Sequence, residues 1–189
     1  MDSGVGSMLN QNPLCSIGRQ NKSTDLLPKD LIRMTTLPLT QGTYTLVIEL
    51  ERPTDIRVGA LGVVVFDKGL YTYTGSALGK SQSLRTRLLR HIRDTKTMRW
   101  HIDYFLQGGK IRSIVLCEST ARLECSINQA LGSMTKGTVI AKRFGASDCH
   151  MGCPAHLYHQ PEHGLNRLVK EILNVYHSYS GNVRCYMFT

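Results

Sequence analysis

The segment Leu70–His91 constrains the fold most, because it changes from a strand pattern to a helix pattern across a short stretch of small residues. Leu70–Thr74 consists of aliphatic, aromatic and β-branched residues, which favour a half-buried strand. Gly75–Gly79 contains two glycines, which permit a tight turn and a close approach of the backbone to a ligand. Ser81–Asp94 carries apolar residues four positions apart and predicts a helix. A strand, a Gly/Ser loop and a basic helix in this order predict a cradle for a phosphate group.

Strand and helix patterns continue on both sides of this segment. Runs of β-branched and aliphatic residues bounded by Gly and Pro predict strands, and apolar residues three and four positions apart predict helices. The predicted strands are Thr45–Leu50, Ile56–Val58, Leu61–Phe66, Ile111–Cys117 and Val183–Phe188, and the predicted helices are Arg99–Leu106, Thr120–Leu131 and Leu165–Tyr179. The order of these elements predicts a mixed α/β (α+β) fold.

Composition divides the chain into three parts. Residues 1–41 are rich in Ser, Asn, Gln, Gly and Pro, which predicts a flexible tail. Residues 42–160 carry most of the folding signals and are long enough for one domain with its own core. Residues 161–189 predict a helical extension, whose amphipathic helix we expect to dock on the domain; a dimer contact is the alternative.

The net charge of +9 and the pI of about 9.4 indicate a polyanionic partner. Residues 80–99 contain seven Lys and Arg residues against one acid, directly after the predicted phosphate loop. A solvated helix face is the plainer interpretation of such a run. Its position favours binding to nucleic acid, with DNA as the expected partner, through Lys80, Arg85, Arg90, Arg93 and Lys96.

Six cysteines in 189 residues are too few and too scattered for a disulfide scaffold. The sequence has no signal-peptide pattern and no apolar run long enough to cross a membrane. We therefore expect a soluble intracellular protein, in the cytoplasm or on the nucleoid, with no membrane partner.

A second candidate site lies in residues 149–156, where Cys149, Cys153 and His156 are ligand types that zinc prefers. The spacing is not that of a standard zinc finger, and a packed loop that closes the domain without metal is the plainer interpretation. A tetrahedral zinc site would need a fourth ligand, for which the sequence offers His101, His150, His159 and His163.

The motifs together resemble the GIY-YIG nuclease superfamily. Gly42-Thr43-Tyr44 is similar to the first half of the family's motif, and Tyr73-Thr74-Gly75 is similar to the second half. Arg87 stands where the family's helix carries its catalytic arginine, and His91 follows one turn later. Glu124 lies at a distance along the chain that suits the family's metal-binding glutamate.

The resemblance is closest to a poorly characterised archaeal and bacterial branch, a domain of unknown function. Members of that branch have segments similar to Val58–Gly62, Trp100–Tyr104 and Gly145–Leu157. Two features depart from the repair and homing members of the superfamily. Residues 53–69 separate the two tyrosines by an added segment that predicts a hairpin, and Ser76 replaces a lysine that some repair members carry.

The resemblance implies a small, mostly antiparallel sheet flanked by helices, and a divalent-metal-dependent endonuclease with a repair or processing role. Glu124 would hold Mg²⁺ or Mn²⁺ with help from substrate phosphate and water, and Arg87 would clamp the phosphate as a charged fork. Tyr73 or Tyr44 would act as the base, with Tyr73 preferred because it is nearer to Arg87 in sequence. His91 would position water or protonate the leaving group. A nucleic-acid-binding module that does not cleave is the alternative.

Overall fold

The computed structural model describes residues 15–16, 35–79 and 81–188, and it places a twisted sheet between two layers of helices. Five strands pair antiparallel in the order β8-β6-β2-β5-β7, and β1 adds parallel to β8. The strands are β1 (Cys15–Ser16), β2 (Gly42–Leu50), β3 (Thr54–Arg57), β4 (Val63–Phe66), β5 (Gly69–Ala77), β6 (Lys110–Glu118), β7 (Leu157–Gln160) and β8 (Val183–Met187). The predicted mixed α/β fold with a mostly antiparallel sheet is confirmed.

Four helices within the described ranges cover the two faces of the sheet. They are α1 (Leu84–Ile92), α2 (His101–Phe105), α3 (Glu124–Thr135) and α4 (Leu165–Tyr179). Strand residues alternate between the faces, so Leu46 and Ile48 pack with α1 and α2, whereas Val47 packs with α3 and α4. No helix in the described ranges is both long and apolar enough to cross a membrane.

The segment between the two predicted tyrosine motifs forms a hairpin of its own. Strands β3 and β4 pair with each other and not with the main sheet, joined by a 3-10 turn at Gly59–Leu61. Strands β2 and β5 are therefore direct neighbours despite the added residues, and Tyr44 lies opposite Gly75 in their ladder. The predicted insertion lengthens the connection without separating the motifs.

The predicted break of the strand at Gly75 is wrong. Strand β5 continues through Gly75 and Ser76 to Ala77, in register with Tyr44, Thr43 and Gly42 of β2. An extended, paired stretch does not turn, so the predicted loop that would cradle phosphate does not form at Gly75–Ala77. Gly75 has a different cause, which is the packing of the Tyr44 side chain.

Two segments outside the predicted central region also belong to the packed structure. Helix α4 has the predicted bounds and docks on the sheet, where the Tyr176 hydroxyl lies 2.9 Å from Oγ1 of Thr45. Before β2, Leu37 is 1 % exposed, and its carbonyl accepts a hydrogen bond from Nε of Arg85 at 2.7 Å. Ordered packing therefore starts before residue 42.

Candidate active site and thiol–imidazole cluster

The Tyr44 side chain explains the glycine of the second motif. A Cβ atom at position 75 would lie 2.6 Å from the Tyr44 hydroxyl, so only glycine fits opposite this tyrosine without a shift. The hydroxyl lies 2.7 Å from Nε2 of His91 on α1, and Tyr44 itself is 1 % exposed. The two half-motifs and helix α1 thus meet at one buried hydrogen bond.

Tyr73 lies on the same face of the sheet as Tyr44. Its ring meets the imidazole of His91 edge-on, with 6.2 Å between the ring centroids. Burial and the Glu124 carboxylate raise the pKa of Tyr73 above its ordinary value, while Arg87 acts to lower it. Burial and Tyr73 likewise raise the pKa of Tyr44, again opposed by Arg87. Both hydroxyls are therefore protonated in the folded protein at neutral pH.

His91 is a buried neutral base and not one more surface cation. Burial, followed by the charges of Arg87, Lys96 and Arg90, lowers its pKa to about 3. In the neutral tautomer with its proton on Nδ1, His91 accepts the hydrogen bond of the Tyr44 hydroxyl at Nε2. Arg87 and His91, one turn apart on α1, both lie beside the tyrosines.

Arg87 is held between the strand and an aromatic ring. Its Nε donates to the carbonyl of Ser76 at 3.1 Å, and its guanidinium carbon lies 4.1 Å from the centre of the Trp100 ring. Arg90 lies over the same ring at 4.3 Å and forms an ion pair with the buried Asp103 at 2.6 Å. The Trp100–Tyr104 segment therefore serves to orient the arginines of α1.

Glu124 completes the cluster from the first turn of α3. One carboxylate oxygen accepts a short hydrogen bond from the Ser76 hydroxyl, and the other lies 2.9 Å from Nδ1 of His156. Ser76 thus contacts Glu124 with its side chain and Arg87 with its carbonyl. The side chain of Glu124 is 26 % exposed, so the carboxylate can be reached from solvent. The structure brings together all five residues predicted for catalysis, which are Tyr44, Tyr73, Arg87, His91 and Glu124.

The basic residues predicted to bind nucleic acid differ in what they contact. Three have partners within the chain: Arg85 donates to the carbonyls of residues 35 and 37, Arg90 pairs with Asp103, and Lys96 donates to the carbonyl of His91. Arg93 is exposed. Lys80 lies outside the described residues. Binding of nucleic acid by this surface stays a prediction.

The second predicted site is also brought together, with one change of ligand. Cys149, Cys153 and His156 lie with Cys125 in a group whose sulfur and nitrogen atoms are all within 4.8 Å of one another. The fourth member comes from α3, next to Glu124. Cys125 was missed because it lies 24 residues before Cys149, a separation that gives no spacing signal in the sequence.

The histidines considered for that fourth position have other contacts or lie outside the group. His101 accepts from the Gly145 backbone N–H at 3.1 Å, His159 stacks on Tyr71 at 4.6 Å, and His163 lies 3.1 Å from Glu171. His150 is not a member of the group either. The expectation of a fourth histidine is therefore wrong.

The thiols of this group differ in pKa. Burial raises the pKa of Cys125 to about 12. Burial also acts on Cys149, but hydrogen bonds from the backbone N–H groups of Cys153 and Met151 outweigh it and lower the pKa of Cys149 to about 6. Cys149 is thus a thiolate at neutral pH, which is the form that binds metal.

Comparison with known proteins identifies a family. The family model described as "Domain of unknown function DUF123" matches residues 43–178, and the chain belongs to that family. The match starts within the first tyrosine motif and ends in the last turn of α4, so it includes both clusters. No curated protein and no solved structure matches the sequence.

Proposed function

We propose that this protein is a GIY-YIG-type endonuclease that hydrolyses phosphodiester bonds in nucleic acid, with DNA as the expected substrate, and that it depends on Mg²⁺ or Mn²⁺. The observation that carries the proposal is the contact of Ser76 with both Arg87 and Glu124, beside the Tyr44–His91 hydrogen bond. A permanent cation, a carboxylate and a paired hydroxyl and base are the groups that phosphodiester hydrolysis needs.

Glu124 is the residue proposed to hold the divalent ion. A partly exposed carboxylate next to the Ser76 hydroxyl offers hard oxygen ligands, which suit Mg²⁺ and Mn²⁺. When bound, the ion supplies positive charge at the phosphate and lowers the pKa of a bound water. The thiol–imidazole cluster (Cys125, Cys149, Cys153 and His156) has soft ligands and takes no part in this proposed hydrolysis.

Arg87 is proposed to bind the phosphate. Its guanidinium stays charged at all physiological pH values and can make two parallel hydrogen bonds to phosphate oxygens. Stacking on Trp100 and the bond to Ser76 hold it in place, so little side-chain entropy is lost when phosphate binds.

The tyrosines are proposed to handle the proton. Tyr44 has a proton acceptor, because the neutral His91 lies 2.7 Å from its hydroxyl. Tyr73 is the alternative base, and the charges of Glu124 and Arg87 act on its pKa in opposite directions. Because burial raises the pKa of both hydroxyls, either tyrosine would lose its proton only with cations nearby.

A cleavage assay tests the proposal. The protein is incubated with branched, nicked, damaged and intact DNA in the presence of Mg²⁺ or Mn²⁺. We expect it to cleave at least one of these DNAs. Glu124→Ala should then reduce the rate by about 10²–10³ through loss of one electrostatic stabiliser. Glu51→Ala, which changes an exposed carboxylate after β2, is the matched control and should cleave normally. Absence of cleavage with every substrate and both ions would remove the endonuclease proposal.

A binding module without cleavage is the second candidate. It is favoured by one observation: both oxygens of Glu124 already contact protein groups, and the two tyrosines are buried. A module of this kind would bind the same nucleic acids and leave them uncut with either ion, and Arg87→Ala would weaken that binding. The cleavage assay and a parallel binding titration separate the two candidates.

A further inference from the structure

We propose that Cys125, Cys149, Cys153 and His156 bind one structural zinc ion, and that Glu124 orients the His156 ligand. The zinc site stands on geometry and does not depend on the nuclease proposal. One consequence does rest on the proposed function: the same carboxylate would link the zinc site to the active site.

The distances suit tetrahedral zinc. Two sulfurs, each about 2.3 Å from a tetrahedral zinc ion, lie about 3.8 Å apart. The Sγ atoms of Cys125 and Cys149 are 3.6 Å apart, and Sγ of Cys125 lies 3.9 Å from Nε2 of His156. All four ligand atoms lie within 4.8 Å of one another, which is close to the spacing that a single ion requires.

The types of ligand select the metal. Three thiols and one imidazole form a soft set, which prefers zinc to Mg²⁺ or Ca²⁺. Cys153 also receives a weak hydrogen bond from the side-chain amide of Gln129 at 3.6 Å, a contact that stabilises a thiolate. The set is closed, with four protein ligands and no open position, as in structural zinc sites and not catalytic ones.

The cluster joins two parts of the fold, the start of α3 and an irregular loop. Residues 141–156 contain no helix or strand, yet they cover the start of α3. Two side chains of α3 hold this segment: Asn128 donates to the carbonyl of Ala155 at 2.8 Å, and Gln129 donates to the carbonyl of Met151 at 3.0 Å. A metal that joins Cys125 to the other three ligands would tie this long irregular loop to α3 at a further point.

His156 connects the zinc site to Glu124. Its Nε2 faces the thiols, and its Nδ1 lies 2.9 Å from Oε1 of Glu124 with no well-aligned hydrogen bond among the described residues. Zinc at Nε2 requires the proton on Nδ1, which then donates to the carboxylate. Carboxylate–histidine–zinc arrangements of this kind fix the imidazole and raise metal affinity.

Metal analysis of the full chain, purified under reducing conditions, tests the site. The expected result is one zinc per chain, lost in Cys149→Ser and Cys153→Ser and kept in Cys117→Ala, a matched control because Cys117 is a thiol of β6 outside the cluster. Replacement of the metal by Co²⁺ should give the intense absorption of tetrahedral cobalt with thiolate charge-transfer bands. This spectrum tests the wild-type chain, so it remains decisive if a cysteine variant fails to fold.

Two outcomes would overturn the zinc site. One is a reduced, folded chain without stoichiometric metal that binds neither Zn²⁺ nor Co²⁺. The other is a disulfide between Cys125 and Cys149 in the protein isolated from cells, because those sulfurs could not both bind metal.

The role of Glu124 is tested by zinc affinity and not by cleavage. Glu124→Gln is expected to lower the affinity by about 10–100-fold, measured by competition with a coloured chelator, because the amide accepts a weaker hydrogen bond from His156. Glu51→Gln should leave the affinity unchanged. Equal affinities for wild type and Glu124→Gln would show that Glu124 does not orient the ligand. No nucleic acid is present, so this result is independent of the proposed endonuclease activity.

Discussion

The two clusters lie side by side, yet they are built in opposite ways. Tyr44 and Tyr73 stand on neighbouring strands, and His91 stands on a helix, so regular structure fixes their positions. Three of the four members of the thiol–imidazole cluster lie in a loop without helix or strand. This loop ends at His156, directly before β7. The difference teaches that regular structure fixes one site, whereas we propose that a bound ion joins the members of the other.

Removal of the metal should produce the largest difference in stability between the regions of the two clusters. Because the binding free energy of a structural metal becomes folding free energy, a chelator should cost at least ~3 kcal/mol, a fall in Tm of about 10 °C for a chain of this size. Hydrogen exchange at an intermediate temperature should speed up in residues 141–156 and stay slow in β2 and β5. Equal loss of protection in both regions would contradict the division.

A single methyl group should damage the site that is fixed by the fold. Gly75→Ala places a Cβ 2.6 Å from the Tyr44 hydroxyl, and overpacking of this kind costs about 1–3 kcal/mol. Gly181→Ala is the control, because no atom lies within 4 Å of its added Cβ, and we expect a change within about 0.5 kcal/mol. Urea denaturation of the two variants measures the difference, and equal midpoints would show that Tyr44 does not require the glycine.

The pH dependence of stability should report on His91. The folded pKa of about 3 lies below the unfolded value of 6.5, so the folded state binds fewer protons between these two values. The titration of His91 therefore costs the folded state nothing well above pH 6.5. The free energy of unfolding falls as the pH drops from 6.5 towards 3. We expect a loss of about 2 kcal/mol between pH 6.5 and about pH 5.

The matching variant is His91→Gln, which keeps a polar group beside Tyr44 and does not titrate. Its unfolding free energy should change less over the same pH range than that of the wild type. Parallel curves for the two proteins would assign the pH dependence to other groups.

The smallest expected effect concerns the basic surface of α1. Binding to duplex DNA weakens with salt, and each phosphate that the protein neutralises adds about 0.9 to the steepness of log K against log salt. Arg93→Gln, which removes an exposed cation, should make the slope shallower by about this amount, whereas Lys170→Gln on α4, at the other face of the sheet, should leave it unchanged. If substitution of Arg93 and of the other predicted arginines left a steep slope unchanged, the binding surface would have to lie elsewhere on the protein.

The sequence predicted the elements with the clearest periodicity. The bounds of α4 are as predicted, since apolar residues recur at helical spacing along its whole length. The end of β5 was misplaced, because Gly75 and Ser76 have the composition of a turn, whereas Gly75 is small for a tertiary reason, its contact with Tyr44. Strand β7 was not predicted, since four residues next to a Cys/His segment show too little alternation.

The candidate site shows the same division. Resemblance to a known motif was sufficient to select Tyr44, Arg87 and Glu124, which the structure places together. Ser76 was noted only as a departure from that motif, although it contacts both Arg87 and Glu124. Cys125 was missed because the contact between α3 and the loop is a long-range one, which no local pattern records.

The central claim is that the tyrosine, arginine and glutamate cluster cleaves nucleic acid, and single-turnover cleavage by tyrosine variants tests it most directly. Tyr44→Phe and Tyr73→Phe each remove one hydroxyl and keep the ring, with Tyr179→Phe, an exposed tyrosine of α4, as the matched control. The account predicts metal-dependent cleavage by wild type and control, and a loss of about 10²–10⁴ in rate for at least one of the two buried variants with binding retained. Wild-type rates in both buried variants, or no cleavage by the wild type with Mg²⁺ or Mn²⁺, would contradict it.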